Sequence, residues 1–509
     1  MKTRRVPYRK LSQGVRKFEP ARLLEKIALV SVELERDRLD EGEYLRRYPD
    51  GAGRDLKDDV KQWGLALVAR IAIVEGENRR KRRPAGAVTD NEIRDLYNLA
   101  ANLDHPDVPD VDVLNSPGFR RMMARIHYQQ GLFAYDSFAN ITRTFGVLVR
   151  DDSSVRGLPT QQDWENVLGV SLQAYAGIVF GLGMAAKRGD GWITPETIQK
   201  AAAEGDFADI GTDAVLAVIK THLAANPQTL RDLAAKRAID GAPAWSFNPL
   251  MDRPLVSYGD SYLLPIWDYL SQKIMLHGLY FTGLQHFGSD FPRALGDSFE
   301  NYVGEHLALL EEAGAVVHSE ITYKIGKQQK KTVDYLVVFD NLVLLVETKG
   351  MRLNTSAGAG VDKGLKELVE RVQGARDQID KTAKLIADRI PELSHIPADR
   401  EVRGLVVTME PLDNIDTFLY SDMFTTNTVE SATISANQLE AYCPMLATVS
   451  DVGLWVLEAL TFKDPTPPAL RRAVEGLEQV PNPVSDKLWE RWRKKLPKAL
   501  EQSYRRSSL

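Results

Sequence analysis

Cysteine is nearly missing from this chain: Cys443 is the only one among 509 residues. A single thiol excludes an intramolecular disulfide and any site built on several thiolates, and it suits a reducing cytosol. Histidine is scarce too. The eight are scattered, with no H-E-x-x-H and no pair at a metal-ligand spacing. No G-x-x-x-x-G-K-[ST] phosphate loop occurs, so the chain does not read as an ATP-driven motor. The N-terminus, MKTRRVPYRKLSQGVRKFEP, is basic without an apolar run, which argues against a secretory signal. Long hydrophobic runs are also lacking. The one candidate span, VLGVSLQAYAGIVFGLGMAA (167–186), contains Ser171 and Gln173 and reads as a buried core helix. The expectation is a cytoplasmic protein without a membrane partner. Net charge is −5, so any nucleic-acid binding must come from local basic patches.

What is present is ordinary soluble composition, 44% hydrophobic and 27% charged, at a length too great for one core. The reading is multidomain, α plus α/β. Residues 1–240 read as mostly helical and of unknown role. Asp90 and Thr194 are the expected helix caps, the latter before Pro195, and Asn226 before Pro227 repeats that logic. Residues 241–292 read as a connector, with a hairpin turning at Gly259-Asp260 and an aromatic-rich helix. Residues 293–460 follow the order helix, strand, strand, strand, helix, strand, which predicts a mixed sheet. The strands expected are ITYKI, KTVDYLVVF, LVLLVETKG and RGLVVTME. Residues 461–509 read as a basic helical tail. Its stretch SDKLWERWRKKLPKALEQSYRRSS has eight Lys or Arg against three Asp or Glu.

The stretch TVDYLVVFDNLVLLVETKG (332–350) reads as a buried hairpin interrupted by Asp334, Glu347 and Lys349. Asp340-Asn341 suits a two-residue turn. That turn would set 334 opposite 347, with 349 one pleat further on the same face. Two facing carboxylates in an apolar sheet repel each other and are costly to desolvate; a divalent cation relieves both costs. Mg²⁺ or Mn²⁺ takes a few carboxylate oxygens and keeps waters, and a neighbouring lysine can orient a water or neutralise a phosphate oxygen. A bare acid-x-Lys triplet is a weak signal, since Asp55-Leu56-Lys57 and Asp59-Val60-Lys61 match it within a polar segment. What separates Glu347-Thr348-Lys349 is the apolar hairpin and the facing acid.

This pattern resembles the PD-(D/E)XK, or restriction-endonuclease-like, nuclease superfamily over residues 293–410. Its signature is an acid on one strand and (D/E)-x-K on the next. Val333 stands where the family's proline often precedes the acid. The resemblance implies that Asp334 and Glu347 bind metal, with the Thr348 carbonyl completing the coordination. Lys349 would then act in catalysis. It also implies a glutamate on the preceding helix. There Phe299, Val303, Leu307 and Leu310 form the buried stripe, Glu300 lies at its edge and Glu305 points away, so the role falls to Glu300. A glutamine on the helix after Glu-x-Lys is implied as well, and Gln378 takes that place beside Arg371.

The activity so implied is metal-dependent hydrolysis of a phosphodiester, in DNA before RNA. By analogy alone, the setting would be bacterial anti-phage defence or restriction. Two other readings stay open: a catalytically silent binding or assembly module of the same fold, and a DNA-repair nuclease subunit serving a separate helicase. Lys324, Lys327, Lys330 and Lys331, just before the Asp334 strand, are candidates for tracking a phosphate backbone, as are Arg371, Arg79–Arg83 and the basic tail. MRLNTSAGAGVDKG (351–364) reads as a small-residue loop. His306 reads as a packed core histidine, and Trp489 and Trp492 as packing residues. A homo-oligomer or a regulatory partner protein remains an expectation without an identified surface.

Overall fold

The computed structural model describes residues 5–39, 60–76, 88–104, 116–131, 133, 137–149, 155–207, 210–350, 355–412, 415–461 and 469–493. The run Arg79–Arg83, the triplet 55–57, Asp59, the loop start 351–354 and the tail beyond 493 lie outside the described residues.

The first region is helical, as expected. Its helices are α1 (Tyr8–Val15), α2 (Pro20–Leu39), α3 (Gln62–Glu75), α4 (Asp90–Ala101), α5 (Pro117–Gly131), α6 (Ser137–Leu148), α7 (Gln161–Leu168), α8 (Leu172–Arg188), α9 (Pro195–Ala203), α10 (Thr212–Val218) and α11 (Pro227–Lys236). Thr194 and Asn226 cap α9 and α11 as read. At α4 the cap is Thr89, not Asp90: its hydroxyl and the Glu92 carboxylate form a reciprocal box, which leaves Asp90 as a first-turn acid. Helix α8 packs into the core over most of its length. Among the described residues no single helix is long and apolar enough to cross a membrane; α7 and α8, bent by 45° at their junction, satisfy length and composition only together.

The hairpin at Gly259-Asp260 forms as expected, from β3 (Leu255–Tyr258) and β4 (Ser261–Leu263), with Gly259 at φ +64°. It pairs with β1 (Trp192–Ile193) and β2 (Ala224–Ala225) in a four-stranded sheet. Segment 241–292 thus shares a sheet with the region before it. Its helices are α12 (Trp267–Ser271) and α13 (Leu276–Phe287).

After α14 (Phe291–Leu307) come β5 (Val316–Ser319), β6 (Thr322–Ile325), β7 (Gln328–Lys331), β8 (Tyr335–Val338) and β9 (Leu342–Lys349). Then follow α15 (Thr355–Gly358), α16 (Asp362–Ala387), β10 (Glu401–Thr408), β11 (Ser431–Ser435), α17 (Ala436–Leu446), α18 (Val452–Thr461), α19 (Ala469–Ala473) and α20 (Pro483–Arg493). The mixed sheet has five strands in the order β11-β10-β9-β8-β5, parallel from β11 to β9 and antiparallel from β9 to β5. One expected strand is misplaced. ITYKI does not join this sheet; it forms β6 of a separate two-stranded ribbon with β7. Val316–Ser319 takes the edge beside β8 instead. ITYKI has the better alternation, but only Tyr323 of β6 is buried, so its pattern serves a ribbon rather than a core.

Each sheet face has its own core. Val337, Leu344, Val346 and Val407 face a core that runs from Ile141 to Trp489 and includes Phe299 and Val303 of α14. Leu336, Val343, Leu345 and Val406 face Ala375, Ile379 and Ile386 of α16. The stripe Phe299, Val303, Leu307 and Leu310 is buried as expected, and Glu305 is exposed. His306 is fully buried, with Nδ1 3.0 Å from the Tyr302 carbonyl, and burial lowers its pKa. Trp489 of α20 is buried in the same core. Cys443 is buried there too, and desolvation pushes its thiol up to about 12.

Within that core Arg143 of α6 forms an ion pair with Glu440 of α17, at 5% and 8% side-chain exposure. Its second bond is 2.7 Å, and Tyr302 Oη donates to the same carboxylate at 2.8 Å. Removing one partner strands the other charge. Glu440→Ala is expected to cost about 3–5 kcal/mol in urea unfolding, whereas the paired Arg143→Met/Glu440→Leu should recover most of that loss.

Candidate active site

The site grows out of the β8–β9 turn. Phe339 N donates to Leu342 O at 2.8 Å, closing Asp340-Asn341. Val338 then pairs with Val343 and Tyr335 with Val346, the register expected from the sequence. In that register 334 and 347 come next. Glu347 is still within β9, but Asp334 falls at a bend just before β8, and Val333 packs in the α16 core with Leu336 and Leu345.

The ladder stops at this point. Continued, it would give the Thr348 N–H to residue 333. Instead Thr348 N and Oγ1 both donate to Asp334 Oδ2, at 2.6 and 2.7 Å. Val333 N turns away and donates to Thr382 Oγ1 of α16 at 3.1 Å. Gln378 Nε2 holds the incoming chain by donating to the carbonyls of Lys331 at 2.7 Å and Thr332 at 3.1 Å. The two strands splay, and the Asp334 carboxylate fills the fork.

Glu347 sits in that fork, 7% exposed. Its Oε1 accepts from Lys349 Nζ at 2.5 Å. Its Oε2 is buried with no hydrogen-bond partner. Burial, and then the charge of Asp334, push the Glu347 carboxyl up to about 7. Burial also raises Asp334, against the two bonds from Thr348. Glu300 lies on α14, half-buried; burial first, then repulsion from Asp334, raise it to about 7. Its backbone carbonyl accepts from Tyr335 Oη at 3.1 Å. Gly304 permits that approach, since a Cβ there would stand 2.2 Å from the same hydroxyl.

Thus Asp334, Glu347 and Lys349 meet, and Glu300 lies within electrostatic reach of them. Among the described residues, no three His, Cys, Asp or Glu side chains are arranged to hold a metal ion. The donor set available is the Asp334–Glu347 pair. The bare Glu347 Oε2 is an acceptor that a hard cation would satisfy, with waters and a carbonyl such as that of Thr348 filling the remaining positions.

Of the other candidates, Lys331 lies within electrostatic reach of Glu300. The ribbon turns at Gly326, φ +60°, and Lys324, Lys327, Lys330 and Lys331 are exposed on it. Lys331 is ion-paired with Glu320. Arg371 is exposed on α16, two turns before Gln378. The loop expected over 351–364 is more ordered than that reading where it is described. α15 and the start of α16 occupy it, and Ala357 and Ala359 are buried. Helix α5 clasps this segment. Arg125 Nε donates to the Ala359 carbonyl at 2.8 Å, Arg121 Nε donates to Asp362 Oδ1 at 2.8 Å, and the Tyr128 ring covers Gly358.

The donation of the Thr348 N–H and hydroxyl to Asp334 and the contact of Thr382 with Val333 are not expected from the sequence, nor are the charges of Glu320 and Asp297 beside Glu300. A threonine between Glu347 and Lys349 was a visible signal: its hydroxyl and N–H can both serve a facing acid. No signal in the sequence tied α5 to the segment after Lys349. No protein-family model matches this chain, and no curated protein or solved structure shows significant similarity to it.

Proposed function

We propose that this chain is a metal-dependent nuclease that hydrolyses phosphodiester bonds, with DNA as the first substrate to test. One observation carries the reading. A splayed hairpin in a mixed sheet holds two facing carboxylates, one bearing a buried unpaired oxygen, beside a lysine. The resemblance of Asp334 and Glu347-Thr348-Lys349 to the PD-(D/E)XK pattern supports it.

Mg²⁺ or Mn²⁺, when bound, would supply Lewis acidity at the phosphoryl oxygen and a more acidic water. The side chains divide the remaining work. Asp334, fixed at one oxygen by Thr348, would have the other to offer a cation. Glu347 contributes Oε2 and keeps Lys349 in place through Oε1. Lys349, 30% exposed, can contact both the phosphate and an attacking water, where its charge offsets the developing negative charge. Glu300, with a pKa near neutrality, can hold or release a proton at the margin of the site. Gln378 positions the strand entry through its two carbonyl contacts.

A cleavage panel with and without Mn²⁺ tests the reading. It covers linear duplex, supercoiled plasmid, single-stranded DNA and RNA. No cleavage of any of these would reject it. The competing reading is a silent module of the same fold, favoured by the lack of a three-member metal set among the described residues. Calorimetry separates the two: Mn²⁺ binding lost in Asp334→Ala supports the enzyme, and no binding in the wild type supports the module. Partnership with a separate helicase would appear as an ATPase that co-purifies.

In this proposal the lysine ribbon follows the phosphate backbone. Lys324→Ala/Lys327→Ala/Lys330→Ala, made in a Lys349→Ala background to prevent cutting, should weaken duplex binding for every sequence tested. It should also reduce the log–log salt slope by about 3. An unchanged slope in fluorescence anisotropy would remove the ribbon from the interface.

A further inference from the structure

Beside β9, on the side of the N-terminal helices, lies a half-open cavity of about 780 Å³, open solvent at its mouth included. It is bounded by α5, α6, α13, the end of β10 and the start of α17. We infer that it binds a neutral, flat heteroaromatic molecule carrying an N–H donor, chemistry that a nucleobase or nucleoside supplies.

The lining sets the shape and the charge. Tyr128, His127 and His277 contribute rings to the lining, and Met275, Leu276 and Met409 add adaptable apolar surface. A mostly apolar lining with aromatic members suits a ring system. The charged groups are already engaged. Arg143 is held by Glu440 and by Asn140 Oδ1 at 2.7 Å, and His277 Nδ1 lies 3.1 Å from Glu410 Oε1. No lysine lines the cavity among the described residues, so a polyanion such as a nucleotide phosphate has no ready counter-charge. At the cavity wall Asn437 Oδ1 is buried without a hydrogen bond. An unpaired buried acceptor is costly, and an N–H on the edge of a ring would satisfy it. Asparagine amides read such edges in adenine.

The cavity touches the proposed active site by two routes. Met409 N donates to the Lys349 carbonyl at 3.2 Å. Tyr128 also covers Gly358 so closely that a Cβ there would stand 2.3 Å from its ring. A ligand that repositions Tyr128 or Met409 therefore acts on the strand end that carries Lys349. This consequence for cleavage rests on the nuclease reading. The binding does not, and the test reads binding alone.

The full chain is titrated by calorimetry with adenosine, guanosine, cytidine and uridine in turn, without metal. At least one should bind saturably at submillimolar concentration and raise the thermal midpoint. Asn437→Leu should weaken that binding at least about tenfold, the scale of one lost hydrogen bond. Met275→Trp, which crowds the cavity, should abolish it, while Asp334→Ala should bind as the wild type does. Saturable binding by none of the four would overturn the inference. So would binding that survives both cavity substitutions in folded protein, or that is lost in Asp334→Ala.

Discussion

Lys349→Ala is expected to reduce Mn²⁺-dependent cleavage by at least about a hundredfold, the scale of losing one charged group aimed at a transition state. Its thermal midpoint should fall by no more than a few degrees, because Glu347 can take up a proton once the lysine is gone. The two outcomes have separate causes. The Lys349 side chain is 30% exposed and fills no core, so its removal leaves no cavity. It is also the hydrogen-bond donor to Glu347 Oε1. Without it, Glu347 is buried beside Asp334 with no compensating cation, and its carboxyl is pushed further towards the neutral form. The variant therefore loses a charge at the phosphate and ionises its metal ligand less readily. Asp334→Ala should lose activity to a similar degree. It also frees the Thr348 N–H and hydroxyl, so its midpoint should fall by a few degrees, on the order of 1–2 kcal/mol. Wild-type cutting by both variants would reject the active-site assignment.

Glu347→Gln should do something a structural residue rarely does: inactivate the protein and stabilise it. Glu347 and Glu300 both have carboxyls raised to about 7 from an ordinary 4.5. Below about pH 4.5 each is protonated in the folded and the unfolded chain, and neither affects the balance. Between about 4.5 and 7 the folded state binds more protons than the unfolded state, so stability falls as pH rises. Above 7 the full cost of both carboxylates, each repelled by Asp334, is present. The metal-free wild type should therefore lose thermal stability from pH 5 to pH 7.5. Glu347→Gln should flatten that slope and gain on the order of 2 kcal/mol at pH 7.5. Mg²⁺ or Mn²⁺ should restore the wild type at pH 7.5, with little effect at pH 5 and little on the variant. A midpoint independent of both pH and metal in the wild type would show that these carboxyls carry no such strain.

The hairpin was legible because a two-residue turn leaves one register, and a period of two then fixes which side chains share a face. Asp340-Asn341 is enough to bring Asp334 close to Glu347, since the register it sets runs to Tyr335 and Val346. The helical stripe through Phe299 and Leu307 was legible for the same reason, since 3.6-residue periodicity places Glu300 at its edge and Glu305 outside. What escaped depends on contacts distant in sequence. Val316–Ser319 reads poorly as a strand because it is a four-residue edge whose Val316 is 52% exposed, so its place comes only from β8. ITYKI reads well and was assigned to the wrong sheet, because alternation reports a half-buried strand without naming its partner. The cap at Thr89 was displaced by one residue because Asp90 is itself a good cap. The clasp of α5 on 355–362 uses the Ala359 carbonyl and the Asp362 carboxylate as acceptors, and neither tells in the sequence which distant arginine it meets. The cavity is of the same kind, since its walls come from segments as far apart as His127 and Asn437.

The core behind the hairpin has a consequence for how the protein is made. It begins at Ile141, passes behind β8 and β9, and takes in Trp489 of α20. Translation proceeds from the N-terminus at about 5–20 residues per second. Lys349 is therefore joined to the chain many seconds before the residues that close the packing behind it. Until Trp489 leaves the ribosome, the sheet face opposite the carboxylates lacks part of its support. A nascent chain then holds every proposed catalytic residue without the scaffold that aligns them. The proposed site is therefore built late: its residues are in the chain before the packing behind β8 and β9 is closed.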